Sequence, residues 1–572
     1  MAVDNPEIAE LFNRYADLLE IQDANPFRVR AYRNAARVVG ASSRSISDMV
    51  AAGSNLDALP GIGKDLAAKI ETIVRTGGLP QLAQLETRVP RALAGLMNLP
   101  GLGPKRVRLL YNELGIRSFE DLKRAIRTGA LLSVPGFGAK TVQRVKAALD
   151  DRGAAMQRFK LGDAEQIVVP LLAHLRGIEG IKTVTVAGSF RRRRDTVGDL
   201  DIVVTARHGA PVMRGFAGYD EVAEVLSQGT TRASVRLRNG IQVDLRLIPD
   251  VSHGAALYYF TGSKSHNIAV RRIAVARGLK INEYGVYRGE RRIAGRSEEE
   301  LFASVGLPYI PPELRENRGE IEAARDGRLP ALIELRDVRG DLHAHTAASD
   351  GHDSLQALAE AARALGYGYL AITDHSPQVR VAHGLDARAL RAQFAAIDRL
   401  NAGFKGFRLL KSAEVDILAD GRLDLPDAVL AEMDVVVAAL HYRLGLPAGK
   451  QTARVLKALD NRRVQILAHP ATRLINERPE CSARLGDIFA AAAERGVALE
   501  INAHPDRLDL DDIHARAARE AGCKLVISSD AHSAAGLANM RFGVDQARRA
   551  WLSRKNVLNT LPLDGLLRAL GR

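Results

Sequence analysis

Three carboxylates and a run of cations mark the first place in this chain where chemistry is concentrated. Asp199 and Asp201 stand two apart in GSFRRRRDTVGDLDIV (188–203), among Leu200, Ile202 and Val203. Successive side chains on a strand point to opposite faces, so both acids leave one face while apolar neighbours enter a core. In IQVDLRLI (241–248), Ile241, Val243, Leu245 and Leu247 alternate with Gln242, Asp244 and Arg246, again one buried and one polar face. If the two strands are neighbours, Asp244 joins the pair. Three oxygen donors on a rigid sheet suit Mg²⁺ or Mn²⁺, which keep positions for water and phosphate oxygens. Taken alone, an Asp-x-Asp is the common pattern of a solvated strand face. The upstream residues argue for more: Gly188-Ser189 followed by Arg191, Arg192, Arg193 and Arg194 offers a candidate phosphate-binding turn beside the acids.

A second concentration lies toward the C-terminus. Ten of the 14 histidines fall beyond residue 340, in DLHAHTAASDG, AITDHS, ALHY, LAHP and SSDAH among others, with an acidic cluster in SAEVDI. Each of these clusters follows a short apolar strand, and the strands alternate with Ala-rich helices. Imidazole and carboxylate donors at the C-terminal ends of successive strands describe a metal site at the top of an α/β barrel. A single histidine here reads as structural; six clusters at strand ends read as a site.

Several domains must position these groups, because 572 residues exceed one core and predict about three to five domains. The net charge of +14 is gathered toward the front: residues 1–160 hold 24 Lys+Arg against 16 Asp+Glu, whereas residues 331–572 hold 32 against 30. Such a front end suits nucleic acid. Within it, residues 6–52 read as helices, and an apolar-Pro-Gly-x-Gly turn opening a helix recurs in LPGIGKDLAAKI from Leu59, LPGLGPKRVRLL from Leu99 and VPGFGAKTVQRV from Val134. The glycines Gly61, Gly63, Gly101, Gly103, Gly136 and Gly138 permit tight turns that present backbone N–H groups and a helix start to one phosphate. Lys64, Lys105, Arg106 and Lys140 add cations that displace counterions without reading bases. Two cysteines, Cys481 and Cys523, form no disulfide framework or thiolate zinc motif. No segment has the unbroken apolar length of a membrane span, and MAVDNPEIAE is not a signal peptide. A cytoplasmic monomer is expected.

The order GSFRR, GDLD, QVDLR and ALYYFTGSKSHN, preceded by three turns of the helix-hairpin-helix kind, resembles the family X DNA polymerases, the family of DNA polymerase beta, over residues 1 to about 318. The resemblance implies that Asp199, Asp201 and Asp244 hold two metal ions, with Asp244 completing the site that activates the primer 3′-hydroxyl. It implies that Ser189, Arg192 and Gly198 grip the nucleotide phosphates, with Arg158 a looser match. Tyr259, Phe260 and Gly262 then lie beside the incoming sugar, and Asn267 and Arg271 beside the nascent pair and template. Lys69 matches the Schiff-base lysine of the family's 5′-deoxyribose phosphate lyase domain, with Arg28 and Tyr32 as phosphate-side neighbours. An ordinary exposed lysine is the equal alternative. Arg193, Arg194, Gln242 and Lys264 depart from the pattern of DNA polymerase beta.

The C-terminal clusters resemble the PHP (polymerase and histidinol phosphatase) family, a distorted barrel of seven βα units binding up to three Mn²⁺, Zn²⁺ or Fe ions. Its nine ligand positions are filled by His343, His345, Asp350, His375, Glu414, His441, His469, Asp530 and His532, and His504 and Arg507 are candidate substrate contacts. The expected fold is therefore multidomain, with all-α helix-hairpin-helix regions at 1–85 and 86–155 and an α+β nucleotidyltransferase palm at 156–248. A small α/β thumb-like subdomain at 249–318, a linker at 319–337 and a (β/α)7 PHP barrel at 338–572 follow. The expected function is gap filling in DNA repair with dNTPs on gapped or nicked double-stranded DNA. Mn²⁺-dependent 3′-5′ exonuclease activity accompanies it, with 3′-phosphatase and abasic endonuclease activities as further readings. The rivals are a DNA-binding scaffold with an inactive polymerase core and a PHP small-molecule phosphatase.

Overall fold

A computed structural model of the chain describes residues 3, 5–40, 42, 46–90, 92–97, 99, 101–150 and 158–571. The chain divides into two compact units, Met1–Gln157 and Arg158–Arg572. No helix among the described residues is long and apolar enough to cross a membrane.

The first unit is all-α. Helices Asn5–Ile21 and Pro26–Gly40 pack together through Ile8, Phe12, Tyr15, Leu19, Tyr32 and Ala36, the helical spacing bringing one apolar stripe of each to the shared core. All three Pro-Gly-x-Gly turns open helices, at Lys64–Thr76, Pro104–Leu114 and Ala139–Asp150. The first glycine of each turn, Gly61, Gly101 or Gly136, has φ of 81°, 94° or 85°, a conformation costly for any residue with a Cβ.

The second unit begins with a five-stranded sheet in the order Ile181–Val186, Asp199–Ala206, Gln242–Leu247, Arg232–Leu237, Val222–Gln228. Its central pair, Asp199–Ala206 and Gln242–Leu247, is parallel, and the other pairings are antiparallel. Leu200, Ile202, Val204, Val243 and Leu245 face a core covered by helices Leu161–Arg176 and Gly209–Ala217. Val203 faces the other way, onto Ala256 and Leu257 of helix His253–Thr261. A three-stranded antiparallel sheet (Lys280–Asn282, Gly285–Arg288, Arg291–Ala294) with helices Lys264–Ala276 and Glu298–Ser304 completes the small subdomain. Residues 319–337, read as a connector, carry helix Glu320–Arg325, whose Ile321 and Ala324 join the small subdomain's core. Its Glu320 accepts a hydrogen bond from buried His266 at 2.7 Å.

Seven parallel strands follow in sequential order: Gly340–Asp341, Tyr369–Ile372, Arg408–Asp416, Val435–Ala439, Ile466–Leu467, Ala498–Asn502 and Leu525–Ser528. A parallel bridge between Ala344 and Ala531 joins the first strand's end to the last, nearly closing the barrel. Continuous burial, as in the wholly buried Val435–Ala439 and Ala498–Asn502, is what a parallel sheet covered on both faces requires. The interior is filled by residues such as Tyr369, Val437 and Val526, against which Leu558, Leu566 and Leu570 of the C-terminal segment pack.

Candidate active sites

In the palm, pairing places Asp201 directly opposite Asp244, and Asp199 opposite Gln242. The parallel register points all three acids to the face away from the helix-covered core, as the alternation predicts. Burial, followed by the charges of Asp199 and Asp244, pushes the Asp201 carboxyl up to about 7, and burial followed by the Asp244 charge raises Asp199. Such mutual repulsion is relieved when a cation is shared, and a donor set of oxygens alone fits a hard divalent ion. Asp244 is fixed by Ser234 Oγ, which donates to one oxygen, and by Gln242 Nε2, which donates to the other at 2.9 Å. Gln242, a departure in the sequence, thus braces the third carboxylate without adding charge. Gly188, at φ 63°, lies so close that a Cβ there would sit 2.6 Å from the Asp201 carboxylate.

One open cleft is lined by Arg158, Gly188, Ser189, Arg192, Gly198, Asp199, Asp201, Tyr259, Phe260, Thr261, Gly262, Lys264, Asn267 and Arg271. Every nucleotide-contact candidate of the sequence lies on it, together with Arg271. Arg158 is braced on Thr196, donating from Nε to Oγ1 at 2.8 Å and from Nη2 to the carbonyl at 2.7 Å. Asn267 Nδ2 donates to the Tyr259 carbonyl at 2.8 Å, and the Arg271 guanidinium sits 5.4 Å from the centre of the Tyr259 ring. Arg191 turns away from the cleft: it pairs with buried Glu298 at 2.6 Å, and fully buried Arg315 donates to the same carboxylate at 2.5 Å. Arg193 also turns away, at φ 55°, donating to Asp545 at 2.6 Å and lying against Phe190 and Phe542. This departure from the family pattern is a contact with the barrel, not with the cleft.

At the barrel's C-terminal end all nine expected ligands converge. His343 and His345 follow the first strand, His375 the second, Glu414 lies on the third, His441 and His469 follow the next two, and Asp530 and His532 the last. Glu414 is central: His375 Nδ1, His441 Nε2 and His469 Nε2 lie 2.9, 3.2 and 2.8 Å from its oxygens. Asp350 lies 3.2 Å from His375 and 3.4 Å from His532, and Asp530 3.3 Å from His345. Three overlapping clusters have metal-ligating geometry: His345, Asp350, His375 and His532; His343, His345 and Asp530; and His375, Glu414 and His441. Among the described residues the buried Nε2 of His343 and both ring nitrogens of His345 have no hydrogen-bond partner, as ligand atoms aimed at an ion would. Two ligands, His469 and Asp530, have φ of 27° and 53°. Arg507 Nε is 3.4 Å from Asp530, and the His504 and His532 ring centres are 6.5 Å apart, which puts both candidate substrate contacts at the rim.

Two acids that the sequence analysis did not assign orient these ligands. Glu500 Oε1 accepts from His343 Nδ1 at 2.8 Å, leaving Nε2 toward Asp530 and Glu414, and Asp416 Oδ1 lies 3.1 Å from His441 Nδ1. Carboxylates behind imidazoles fix the ring's tautomer and raise its basicity as a ligand. The signal was present in SAEVDI, where Asp416 shares a strand face with Glu414, and in ALEIN, where Glu500 interrupts an apolar strand.

In the first unit, Gly63 and Gly103 cap their helices with no side-chain hydrogen bond, and open space surrounds Gly63, Gly103, Gly136 and Gly138. With no side chain over these helix starts, an anion can approach them, although Arg106 N–H already bonds the Gly103 carbonyl and Thr141 N–H the Gly138 carbonyl. Lys64 and Lys105 are exposed beside them; the side chain of Lys140 and the residue Pro100 lie outside the described residues. Arg28 donates to Tyr15 at 3.0 Å, the Tyr15 and Tyr32 rings meet edge to face, and Lys69 lies 5.9 Å from the centre of the Tyr32 ring. Burial would lower the pKa of Lys69, but hydrogen bonds to Asp65 and Tyr32 hold it above its ordinary value.

The chain is similar to known proteins along nearly its whole length. Residues 3–79 match the helix-hairpin-helix domain, 93–151 the SAM-like helix-hairpin-helix tandem, 256–316 the DNA polymerase beta thumb and 341–504 the PHP domain. The DNA polymerase/3′-5′ exonuclease PolX of Bacillus subtilis is 41% identical over 562 residues, covering 97% of each chain. DNA polymerase lambda of Rattus norvegicus is 26% identical over 54% of this chain and 56% of its own. A "Probable phosphatase" of Syntrophotalea carbinolica is 28% identical over 38% of this chain and 90% of its own.

Proposed function

The chain belongs to the PolX family, in which a family X DNA polymerase is joined to a PHP domain, and from that premise we propose that it fills short gaps in DNA and trims 3′ ends. The observation that carries the reading is the parallel register that sets Asp201 against Asp244 beside a cleft lined by Ser189 and Arg192. Divalent cations, Mg²⁺ or Mn²⁺ at the aspartates and up to three Mn²⁺, Zn²⁺ or Fe ions at the histidines, supply charge neutralisation and activate the attacking hydroxyl or water.

The chain's own residues do the rest. Asp199, Asp201 and Asp244 fix where the cations lie, while Ser189, Arg192 and Gly198 hold the triphosphate through hydroxyl, guanidinium and backbone. Arg158 lines the same cleft from the side of Gly198, a Cβ on which would meet its guanidinium at 3.2 Å. Tyr259, Phe260 and Gly262 crowd the sugar, and Asn267 and Arg271 flank the nascent pair. In the barrel, the nine ligands position the cleaving centre, Glu500 and Asp416 orient His343 and His441, and His504 and Arg507 meet the phosphodiester at the rim. The Pro-Gly-x-Gly turns of residues 1–85 and 86–155 hold backbone phosphates of gapped double-stranded DNA. Residues 156–248 and 249–318 bind the dNTP and primer end, and 338–572 cleave. Both centres are complete within one chain, which supports a monomer, and the two free cysteines suit the cytoplasm. Lys69 serves as the lyase nucleophile only when Asp65 releases it.

A labelled primer on gapped DNA, incubated with Mg²⁺ or Mn²⁺ and scored for lengthening and shortening, tests the reading. Asp201→Ala should abolish lengthening alone, and His343→Ala with His345→Ala should abolish shortening alone. Loss of both activities in either variant, or of neither, contradicts it.

A further inference from the structure

The turn that carries Arg192 is gripped from the barrel. Arg549, the last residue of helix Met540–Arg549, is buried and donates from Nη1 to the backbone carbonyl of Arg192 at 2.7 Å. The same nitrogen reaches Glu316 Oε1 at 3.3 Å, and Nη2 donates to Asp512 at 2.7 Å. Glu316 Oε1 in turn accepts from Arg192 Nε at 3.1 Å, while Arg192 Nη1 donates to the Thr261 carbonyl at 2.5 Å. One turn earlier on the helix, Asp545 takes Arg193 at 2.6 Å. Two adjacent arginines of the phosphate turn are thus anchored to one helix of the exonuclease module, some 350 residues away in sequence.

We propose that Arg549 is a positioning residue for nucleotide binding at the polymerase site, orienting Arg192 by holding its backbone and by sharing Glu316. The inference rests on the reading of Arg192 as a triphosphate contact. Its physical basis is a carboxylate divided between two guanidiniums. With Arg549 present, Glu316 has a second partner, and Arg192 keeps Nη2 without a hydrogen bond among the described residues while its side chain lines the cleft. Without Arg549, Glu316 keeps Arg192 as its remaining guanidinium hydrogen-bond partner among the described residues, with Arg194 and Arg318 acting only by charge; it draws the Arg192 guanidinium toward itself and cancels charge that the triphosphate needs, and the Arg192 carbonyl loses its donor. The barrel is in this respect a structural part of the dNTP site, so that nucleotide affinity depends on a module that performs the opposite reaction.

Single-nucleotide gap filling by the full chain, with kcat and KM for the dNTP measured separately, tests this. Arg549→Ala should raise KM about tenfold, the loss of roughly one charge-assisted hydrogen bond, with kcat within about twofold. Degradation of a labelled 3′ end by the same preparation should be unchanged, which also reports that the barrel is folded. Arg549→Lys, a point charge unable to reach three acceptors, should raise KM about threefold and covers the case in which the alanine variant does not fold. Adding Glu316→Gln to Arg549→Ala should bring KM back most of the way, a rescue that a purely structural role would not give. Unchanged KM in the Arg549 variants, or a rise that Glu316→Gln fails to lessen, overturns the proposal. Arg192→Ala separates the two readings: unchanged KM there removes Arg192 as a triphosphate contact, whereas a raised KM there beside unaltered Arg549 variants removes Arg549 alone.

Discussion

Glu500→Gln is the sharpest test of the exonuclease centre, because both oxygens of Glu500 are occupied as acceptors. Oε1 takes the His343 Nδ1 proton at 2.8 Å, and Oε2 takes the His469 backbone N–H at 2.7 Å and Asn502 Nδ2 at 3.1 Å. A glutamine keeps only one acceptor oxygen, so its NH₂ must face either His343 Nδ1–H or the His469 N–H, donor against donor in a fully buried site. The imidazole then loses its fixed tautomer or the His469 loop shifts, and substitutions behind a metal-bound histidine cost about 10–100-fold in affinity or activity. We expect exonuclease turnover to fall within that range and its Mn²⁺ dependence to move to higher concentration. Metal retained after dialysis, measured directly on the protein, should fall too, and primer extension should be unaffected. Wild-type degradation and metal retention in Glu500→Gln would refute the argument that this carboxylate orients His343.

Asp244→Asn should reduce extension about a thousandfold by removing one charge from the cation-binding set, with degradation of a 3′ end unaltered in the same reaction. Asp65→Asn should increase borohydride trapping of the chain on 5′-deoxyribose phosphate DNA, because it removes one of the two partners, Asp65 and Tyr32, that hold the Lys69 pKa up; trapping equal to wild type would separate Lys69 from that chemistry. Burial opposes it, but Arg549 and Arg192 hold the Glu316 carboxyl down to about 2, from an ordinary 4.5. A depressed carboxylate stabilises the fold above its unfolded pKa and ceases to as pH falls through its folded one, so on the order of 3 kcal/mol should be lost between about pH 4.5 and 2. In urea titrations across that range, Glu316→Gln should flatten the loss.

What the sequence made legible was whatever has a local period or a local grammar. Strand alternation placed Asp199 and Asp201 on one face and Asp244 on the polar face of its own strand, leaving the strand pairing to the fold; the repeated Pro-Gly-x-Gly turn located three helix starts, and strand-end histidines marked the barrel's rim. The contacts that brace these groups had no such signature. Arg193 in RRRRD looks like one more cation for phosphate, and only the fold turns it onto Asp545, 352 residues on. Glu316, in the polar end of the small subdomain, lies between two arginines for the same reason. Glu500 and Asp416 sat in quoted or neighbouring motifs, yet their work is done through another side chain, which spacing alone does not reveal.

The register of the two central palm strands limits how this enzyme can change. Because side chains alternate, a one-residue insertion or deletion in Gln242–Leu247 would turn Asp244 inward and present Val243 or Leu245 to the face that carries Asp201, losing a carboxylate and exposing a core residue together. Any tolerated indel on this pair must come in twos, and the turns joining helix Gly209–Ala217 and strands Val222–Gln228 and Arg232–Leu237, which lie between the two in the chain, are where variation in length has room to accumulate.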